Sequence, residues 1–290
     1  MRPHWIRLQT EDVAVWRIEG WEDLGFLAQF VTRRGGFSEG HFASLNLATG
    51  LGDNPRWVRL NRDRVTQRLL PAGTQNVQVL RQIHGTEHQL VPRTALGEKE
   101  LGWWLGPEGD ALIGSHPSIT LATFHADCLP VYLIHPCTGY RALVHAGWGG
   151  LVAGVIQRSV AKLLERADTE PHHLHAALGP CIEREAYEIG TDVVRGLAAA
   201  PFNWRDAVYP GRRGRFRLDL KRAAAGILCD LGLPRDHLVT DAPGTFGNAG
   251  DFYSHRRDGT TGRCVALLGA LVENAEECAV PWAKPVEGSW

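Results

Sequence analysis

The stretch from residue 76 to residue 166 constrains the fold more than any other part of the chain. Its apolar period changes once, from short runs bounded by turn residues to one long helical spacing. Val77 and Val79 alternate with Gln78 and lead through Ile83, so residues 76–83 predict a strand that delivers His84 at its end. Ile119–Phe124, Val131–Ile134 and Arg141–Val144 predict three more, separated by Asp127-Cys128-Leu129-Pro130 and by Pro136-Cys137-Thr138-Gly139, both of which carry turn residues. Past Gly147-Trp148-Gly149-Gly150, apolar residues at 151, 152, 155, 156, 160, 163 and 164 follow the period of one amphipathic helix, Leu151 to Arg166. If the last three strands run up, down, up, Cys128 and His145 share one sheet edge. Strands two apart lie about 10 Å from each other, so that arrangement gives a shared edge and not bonding distance.

The chain has 290 residues and an apolar fraction of 44%, enough for a large core, and shows no repeat, low-complexity tract or linker. One domain over residues 1–290 is the simplest expectation, with Pro281 to Trp290 as a surface tail. The formal charge of -1, with both signs interspersed, gives no general attraction for nucleic acid or anionic lipid, so the expected partner is a small molecule. Met1 to Trp16 carries Arg2, Arg7, Glu11 and Asp12 and lacks the apolar core of a signal peptide, and the apolar stretch Val265 to Val272 is too short to span a bilayer. A soluble cytoplasmic protein is expected. Six cysteines, at 128, 137, 181, 229, 264 and 278, are too dispersed to form the dense framework of a small secreted domain. Arg34 to Asn54, rich in Gly, Ser and Asn, is long enough to predict a functional loop, after which Asp53 caps a helix beginning near Pro55.

His84, Cys128 and His145 each close a short apolar run. Imidazole, thiolate and imidazole form a borderline-soft set that suits zinc, and three protein ligands leave a fourth position for water or substrate. Taken singly, each histidine reads first as a hydrogen-bonded core residue and Cys128 as a buried inert thiol. Asp127 is a turn residue or a partner of the site, the His172-His173-Leu174-His175 tract reads as an exposed loop, and Trp103-Trp104 is a purine platform or a surface pair. The glycine-rich entry to the helix after His145 suits anion binding or close packing on the sheet.

The ordered segments Thr32-Arg33-Arg34-Gly35-Gly36-Phe37-Ser38, Ser44-Leu45-Asn46-Leu47, Gly52-Asp53, Asn61-Arg62, Gln82-Ile83-His84-Gly85, Gly109-Asp110-Ala111-Leu112, Ala126-Asp127-Cys128-Leu129-Pro130, His145-Ala146-Gly147-Trp148, Gly179-Pro180-Cys181-Ile182, Ser254-His255-Arg256-Arg257-Asp258-Gly259 and Thr261-Gly262-Arg263 resemble one family over about residues 25–270. It is the family once called polyphenol oxidase or laccase-domain proteins and now described as purine nucleoside phosphorylases, which includes the bacterial peptidoglycan editing factor. The resemblance implies a mixed α/β fold, an α/β/β/α-like sandwich of sheets covered by helices, with His84, Cys128 and His145 as zinc ligands. It also implies phosphorolysis of adenosine, inosine or methylthioadenosine, with adenosine deamination as a companion activity. The partners expected from it are a purine nucleoside and inorganic phosphate.

Arginine holds phosphate through bidentate donation, so Arg33, Arg62 and Arg256 are the candidate phosphate holders, with Asn46 and Asp110 orienting sugar or base. The chain departs from the family pattern at Gly149, where arginine is usual, at His125, where a small or hydroxyl residue is usual, at His255 in place of tyrosine, and at Glu183 in place of glycine. His125 is an extra ligand, a proton shuttle or a neighbour. Two other functions compete: a cysteine hydrolase acting on a peptide or cell-wall fragment with Cys128 as nucleophile and His145 or His84 as base, and a non-catalytic binder of a cell-wall precursor. Multicopper chemistry needs many convergent histidines, and the only His-x-His pair is His173-Leu174-His175, so copper is not expected.

Overall fold

Two mixed sheets stack face to face with helices on both outer surfaces, in a computed structural model that describes residues 2–200 and 202–271. The larger sheet runs from edge to edge through His4–Gln9, Ala14–Glu19, Phe26–Val31, Cys264–Ala270, Ile119–His125, Asn76–Arg81, Trp103–Glu108 and Glu98–Glu100. The smaller runs through Leu238–Val239, His175–Leu178, Leu129–Ile134, Arg141–Ala146, Ala111–Gly114 and His88–Val91. Helix α1 (Pro55–Leu69) covers the larger sheet, and α2 (Trp148–Ala153), α3 (Val155–Ala167), α4 (Thr191–Ala198) and α5 (Leu220–Asp230) cover the smaller. This is the α/β/β/α sandwich of the expected mixed α/β class.

The central strands are apolar along their whole length because both faces are covered, and their alternation shows which layer each side chain enters. In Cys264–Ala270, Cys264, Ala266 and Leu268 face the other sheet, whereas Val265 and Leu267 pack with Val65 and Leu69 of α1. In Leu129–Ile134, Val131 and Leu133 meet α2, α3 and α5, and Tyr132 and Ile134 enter the layer between sheets. Polar ties cross that layer: the Tyr132 hydroxyl donates to Gln29 O at 2.7 Å, and Trp5 Nε1 donates to Leu178 O at 3.1 Å.

Several expectations require correction. The up-down-up meander does not form: Ile119–His125 pairs with Cys264–Ala270 and Asn76–Arg81 in the larger sheet, whereas Leu129–Ile134 pairs with Arg141–Ala146 in the smaller. The chain therefore changes sheets across Ala126-Asp127-Cys128. The single helix after Gly150 is two, because Gly154 takes a left-handed φ of 88° that ends α2 and opens α3. Asn54, not Asp53, caps α1 by accepting from Arg56 N at 2.9 Å. Asp53 instead accepts from Ser38 and Asn46 and so closes the glycine-rich loop on itself.

Trp103 is buried beneath α1, with its Nε1 donating to Thr66, and Trp104 Nε1 donates to Asn76, so the tryptophan pair does not form a purine platform. His172 and His173 lie in a 3-10 turn and His175 begins a strand. Cys128, Cys137, Cys181, Cys229 and Cys264 are free thiols, and no described helix is long and apolar enough to cross a membrane. The tail from Pro281 to Trp290, Cys278 and the last residue of the apolar stretch at Val272 lie outside the described residues.

Candidate metal centre

Strand alternation converges on one end of the layer between sheets. His145 shares the face of Leu143, Cys128 that of Tyr132, and His125 that of Leu121, so all three point into this layer. Leu129 pairs with Ala146 and Pro130 with His145, which sets Cys128 beside the end of Arg141–Ala146 without the 10 Å gap of a meander. His84 arrives from the larger sheet. The strand Asn76–Arg81 ends early, and the Gln82 amide prolongs its pairing by accepting from Phe124 N at 2.7 Å and donating to Phe124 O at 3.0 Å. His84 then turns with a φ of 58°.

One ligand atom each from His84, Cys128 and His145 lies within 4.8 Å of the other two, the one such trio among the described residues. A tetrahedral zinc with bonds of about 2.0–2.3 Å needs donors about 3.3–3.5 Å apart for two nitrogens and a sulfur, so the trio fits a three-ligand site after a small contraction. His84 is exposed, Cys128 half-buried and His145 buried, which leaves one side of the trio open to solvent. Gly147 makes this approach possible. A Cβ there would lie 3.1 Å from His84 Cδ2 and 3.2 Å from Cys128 Sγ.

Asp110 organises both histidines. Its carboxylate accepts from the successive backbone amides of Ile83, His84 and Gly85 at 3.2, 3.1 and 2.7 Å, and from His145 Nδ1 at 2.8 Å. That last bond leaves His145 Nε2 as the ligand atom. Burial pushes the Asp110 carboxyl up, but the His145 hydrogen bond and the Gly85 amide outweigh it and hold it below the usual range. Burial also raises the Cys128 thiol, yet the His145 charge and the hydrogen bonds of His145 and His84 bring it down to about 6. For His145 burial lowers the pKa, and the Cys128 thiolate and Asp110 overcome this and raise it to about 9. Without metal, thiolate and imidazolium therefore face each other at neutral pH.

The expected substrate residues separate into different environments. Asp110 is fully buried and serves the ligands rather than a sugar or base. Asn46 is also fully buried: its amide donates to Ala48 O and Asp53 and accepts from Arg263 N, so it ties the loop to the sheet. Arg62, 1% exposed, donates to Leu47 O and Glu100 O and lies over Trp103 and Phe124, which makes it a core strut and not a phosphate holder. Arg33 donates to Ala43 O and lies over Tyr253. Arg256 approaches the centre: its backbone N donates to Asp127 Oδ2 at 2.7 Å and its guanidinium, over Tyr187, donates to Glu188 O.

Sequence reasoning missed Arg263. The register of Cys264 with His125 sets it at the strand end beside Ala126-Asp127-Cys128. It is half-buried, donates to Thr261 O and Gly262 O, and feels the charges of Cys128 and Asp127, while burial lowers its pKa. Asp127 is both a turn residue, with a φ of 94°, and an anchor that accepts from Thr245 and Arg256. Glu183 accepts from Phe246 N and Gly247 N, and His255 Nδ1 donates to Gly259 O. Burial pushes the Cys181 thiol up to about 12, which makes it an inert core group.

The fold and the trio define a class: a four-layer α/β/β/α protein with an open histidine, cysteine, histidine centre at one end of its inter-sheet layer. The chain belongs to the family described as Multi-copper polyphenol oxidoreductase laccase, whose pattern it matches over residues 27–270. It is 38% identical over 244 residues, 83% of this chain and 87% of the other, to a protein of Deinococcus radiodurans named purine nucleoside phosphorylase. It is 32% identical over 256 residues, 86% of this chain and 92% of the other, to purine nucleoside phosphorylase YlmD of Geobacillus stearothermophilus. The crystal structure of YlmD from Geobacillus stearothermophilus superposes with a TM-score of 0.83 at 30% identity, covering 92% of this chain and 100% of that one. A Bacillus licheniformis hypothetical protein, YfiH, superposes with a TM-score of 0.82 at 26% identity, covering 91% of this chain and 98% of that one.

Proposed function

We propose that this chain is a zinc-dependent purine nucleoside phosphorylase that cleaves adenosine, inosine or methylthioadenosine with phosphate to give free base and ribose 1-phosphate. The observation that carries this reading is the convergence of His84, Cys128 and His145 in a chain whose relatives bear that name. The donor set favours zinc over the copper of the family description, because one thiolate and two imidazoles at a single open site match zinc chemistry and no other three-donor group occurs among the described residues. Zinc held by these residues supplies a Lewis acid beside the substrate.

The protein's own groups do the rest. Asp110 fixes the tautomer of His145 and the backbone of His84, so the ligand atoms are held before substrate arrives. Ile83 and Trp148, 44% and 41% exposed and each adjacent to a ligand segment, offer apolar surface to a purine ring. Arg263, which feels the charge of Cys128, and Arg256, held beside Asp127 by its backbone, supply guanidinium groups to orient phosphate, whose negative charge then offsets the positive charge developing at the anomeric carbon.

The test is incubation of metal-analysed protein with adenosine, with and without phosphate, and separation of adenine, inosine and ribose 1-phosphate. Phosphate-dependent adenine together with ribose 1-phosphate supports the reading, and inosine formed without phosphate adds the deaminase activity. Absence of all three products favours the non-catalytic binder. One observation favours the cysteine hydrolase reading: the depressed Cys128 thiol beside the protonated His145 forms a thiolate nucleophile and imidazolium proton donor in metal-free protein. Activity in metal-free protein that is abolished by thiol alkylation would establish the hydrolase instead.

A further inference from the structure

We propose that His125 is the positioning residue of the ligand Cys128: its ring donates to the Cys128 carbonyl and fixes the turn that carries the sulfur into the centre. This rests on the reading that the trio binds metal. His125 Nδ1 lies 3.0 Å from Cys128 O, and its Nε2 lies 2.8 Å from Thr123 Oγ1. A carbonyl only accepts, so Nδ1 carries the proton. Nε2 is then the acceptor, and the Thr123 hydroxyl donates to it. Both ring nitrogens are occupied in a side chain only 1% exposed, which leaves neither for a metal bond or for proton transfer with solvent. Of the three roles open at the sequence level, extra ligand and proton shuttle are thereby excluded.

The bond acts at the step from Ile119–His125 to Leu129–Ile134, where the chain passes from the larger sheet to the smaller. Asp127 there holds a φ of 94°, a conformation that a non-glycine residue keeps only where its surroundings enforce it. Four contacts surround that peptide: His125 on Cys128 O, Ile182 N on Asp127 O at 3.0 Å, Thr245 on Asp127 Oδ1 and Arg256 N on Asp127 Oδ2. Of these, the His125 bond alone engages the ligand residue itself. The same ring meets the His145 ring at 5.2 Å between centroids and 62° between planes, so it also limits the tilt of a second ligand.

The experiment measures zinc dissociation constants by competition with a chromophoric chelator for the wild-type chain, His125→Asn and His125→Phe. The Asn amide can reproduce the Nδ1 donation, whereas Phe fills the ring volume without a donor. His125→Phe is expected to weaken zinc about 10–100-fold, and His125→Asn to recover most of that loss. With cobalt in place of zinc, the visible spectrum of His125→Phe is expected to keep the ligand-field pattern of two nitrogens and one sulfur. Wild-type affinity in His125→Phe, or an equal loss in both variants, overturns the proposal while leaving the metal reading intact. Failure of the wild-type chain to bind zinc overturns the metal reading, and this proposal with it. Should His125→Phe not fold, nitrogen NMR of the wild-type ring decides: Nδ1 protonated with and without zinc supports the role, and Nε2 protonated or bound to metal refutes it.

Discussion

At the scale of single residues, Asp110 carries the largest consequence, because one carboxylate meets the backbone of one ligand and the ring of another. Asp110→Ala is expected to weaken zinc binding about 10–100-fold, measured by chelator competition, and to leave four donors without their acceptor, the buried His145 Nδ1 among them. The pH dependence follows from the ligand pair. Between about pH 6 and 9 the metal-free site holds a Cys128 thiolate and a His145 imidazolium, so binding zinc expels one proton from His145. Affinity should therefore rise about tenfold per pH unit across that window, steepen below it and level off above it. Titration calorimetry in buffers of different ionisation enthalpy reads the proton directly. Gly149 offers the converse experiment: a Cβ there lies 3.4 Å from His84 O, an ordinary contact, so Gly149→Arg should fold and should lower the KM for phosphate in the assay proposed above.

At the scale of elements, the pairing of strands was the part the sequence concealed. Four of the strands, from residue 76 to residue 146, were legible from apolar runs and turn residues. The three-residue separator Ala126-Asp127-Cys128, however, serves equally for a turn within one sheet and a step to another, and the partner of His125 is Cys264, far along the chain. The break at Gly154 was hidden because apolar spacing continues across it. Arg62 was readable in principle: it lies on the stripe of α1 formed by Val58, Asn61, Val65 and Leu69, which marks the inner face. The three ligands were legible as residues, but their convergence depended on the change of sheet.

An acid-sensitive element lies at the other edge of the smaller sheet, where His175 stacks on His237 at 4.0 Å. Burial and the neighbouring His237 lower His175 to about 4. A base with a depressed folded pKa adds no penalty above its unfolded value of about 6.5, and stability falls as pH drops from there through about 4. Discounted for the water around this half-buried pair, the loss is of the order of 1–2 kcal/mol. His175→Gln should flatten the fall of the urea midpoint between pH 7 and pH 4 relative to the wild-type chain.

At the scale of the whole molecule, the centre belongs to both sheets: His84 follows a strand of the larger, His145 lies in a strand of the smaller, and Cys128 sits at the step between them. An ion bound there stabilises the native state by about 4 kcal/mol when free zinc exceeds its dissociation constant about a thousandfold. Chelation should therefore lower the melting temperature, reversibly on readdition of zinc, and His145→Ala should abolish the difference between the two melts.

The step at Ala126-Asp127-Cys128 also orders events during synthesis and refolding. A nascent chain that has made only the smaller sheet brings Cys128 to His145 without His84, and one that has made only the larger offers His84 alone, so neither presents the full donor set. If the trio holds an ion, capture must wait until the layers have docked, so the centre would work as an inspector of finished packing, and a misfolded copy would betray itself by emerging without its metal.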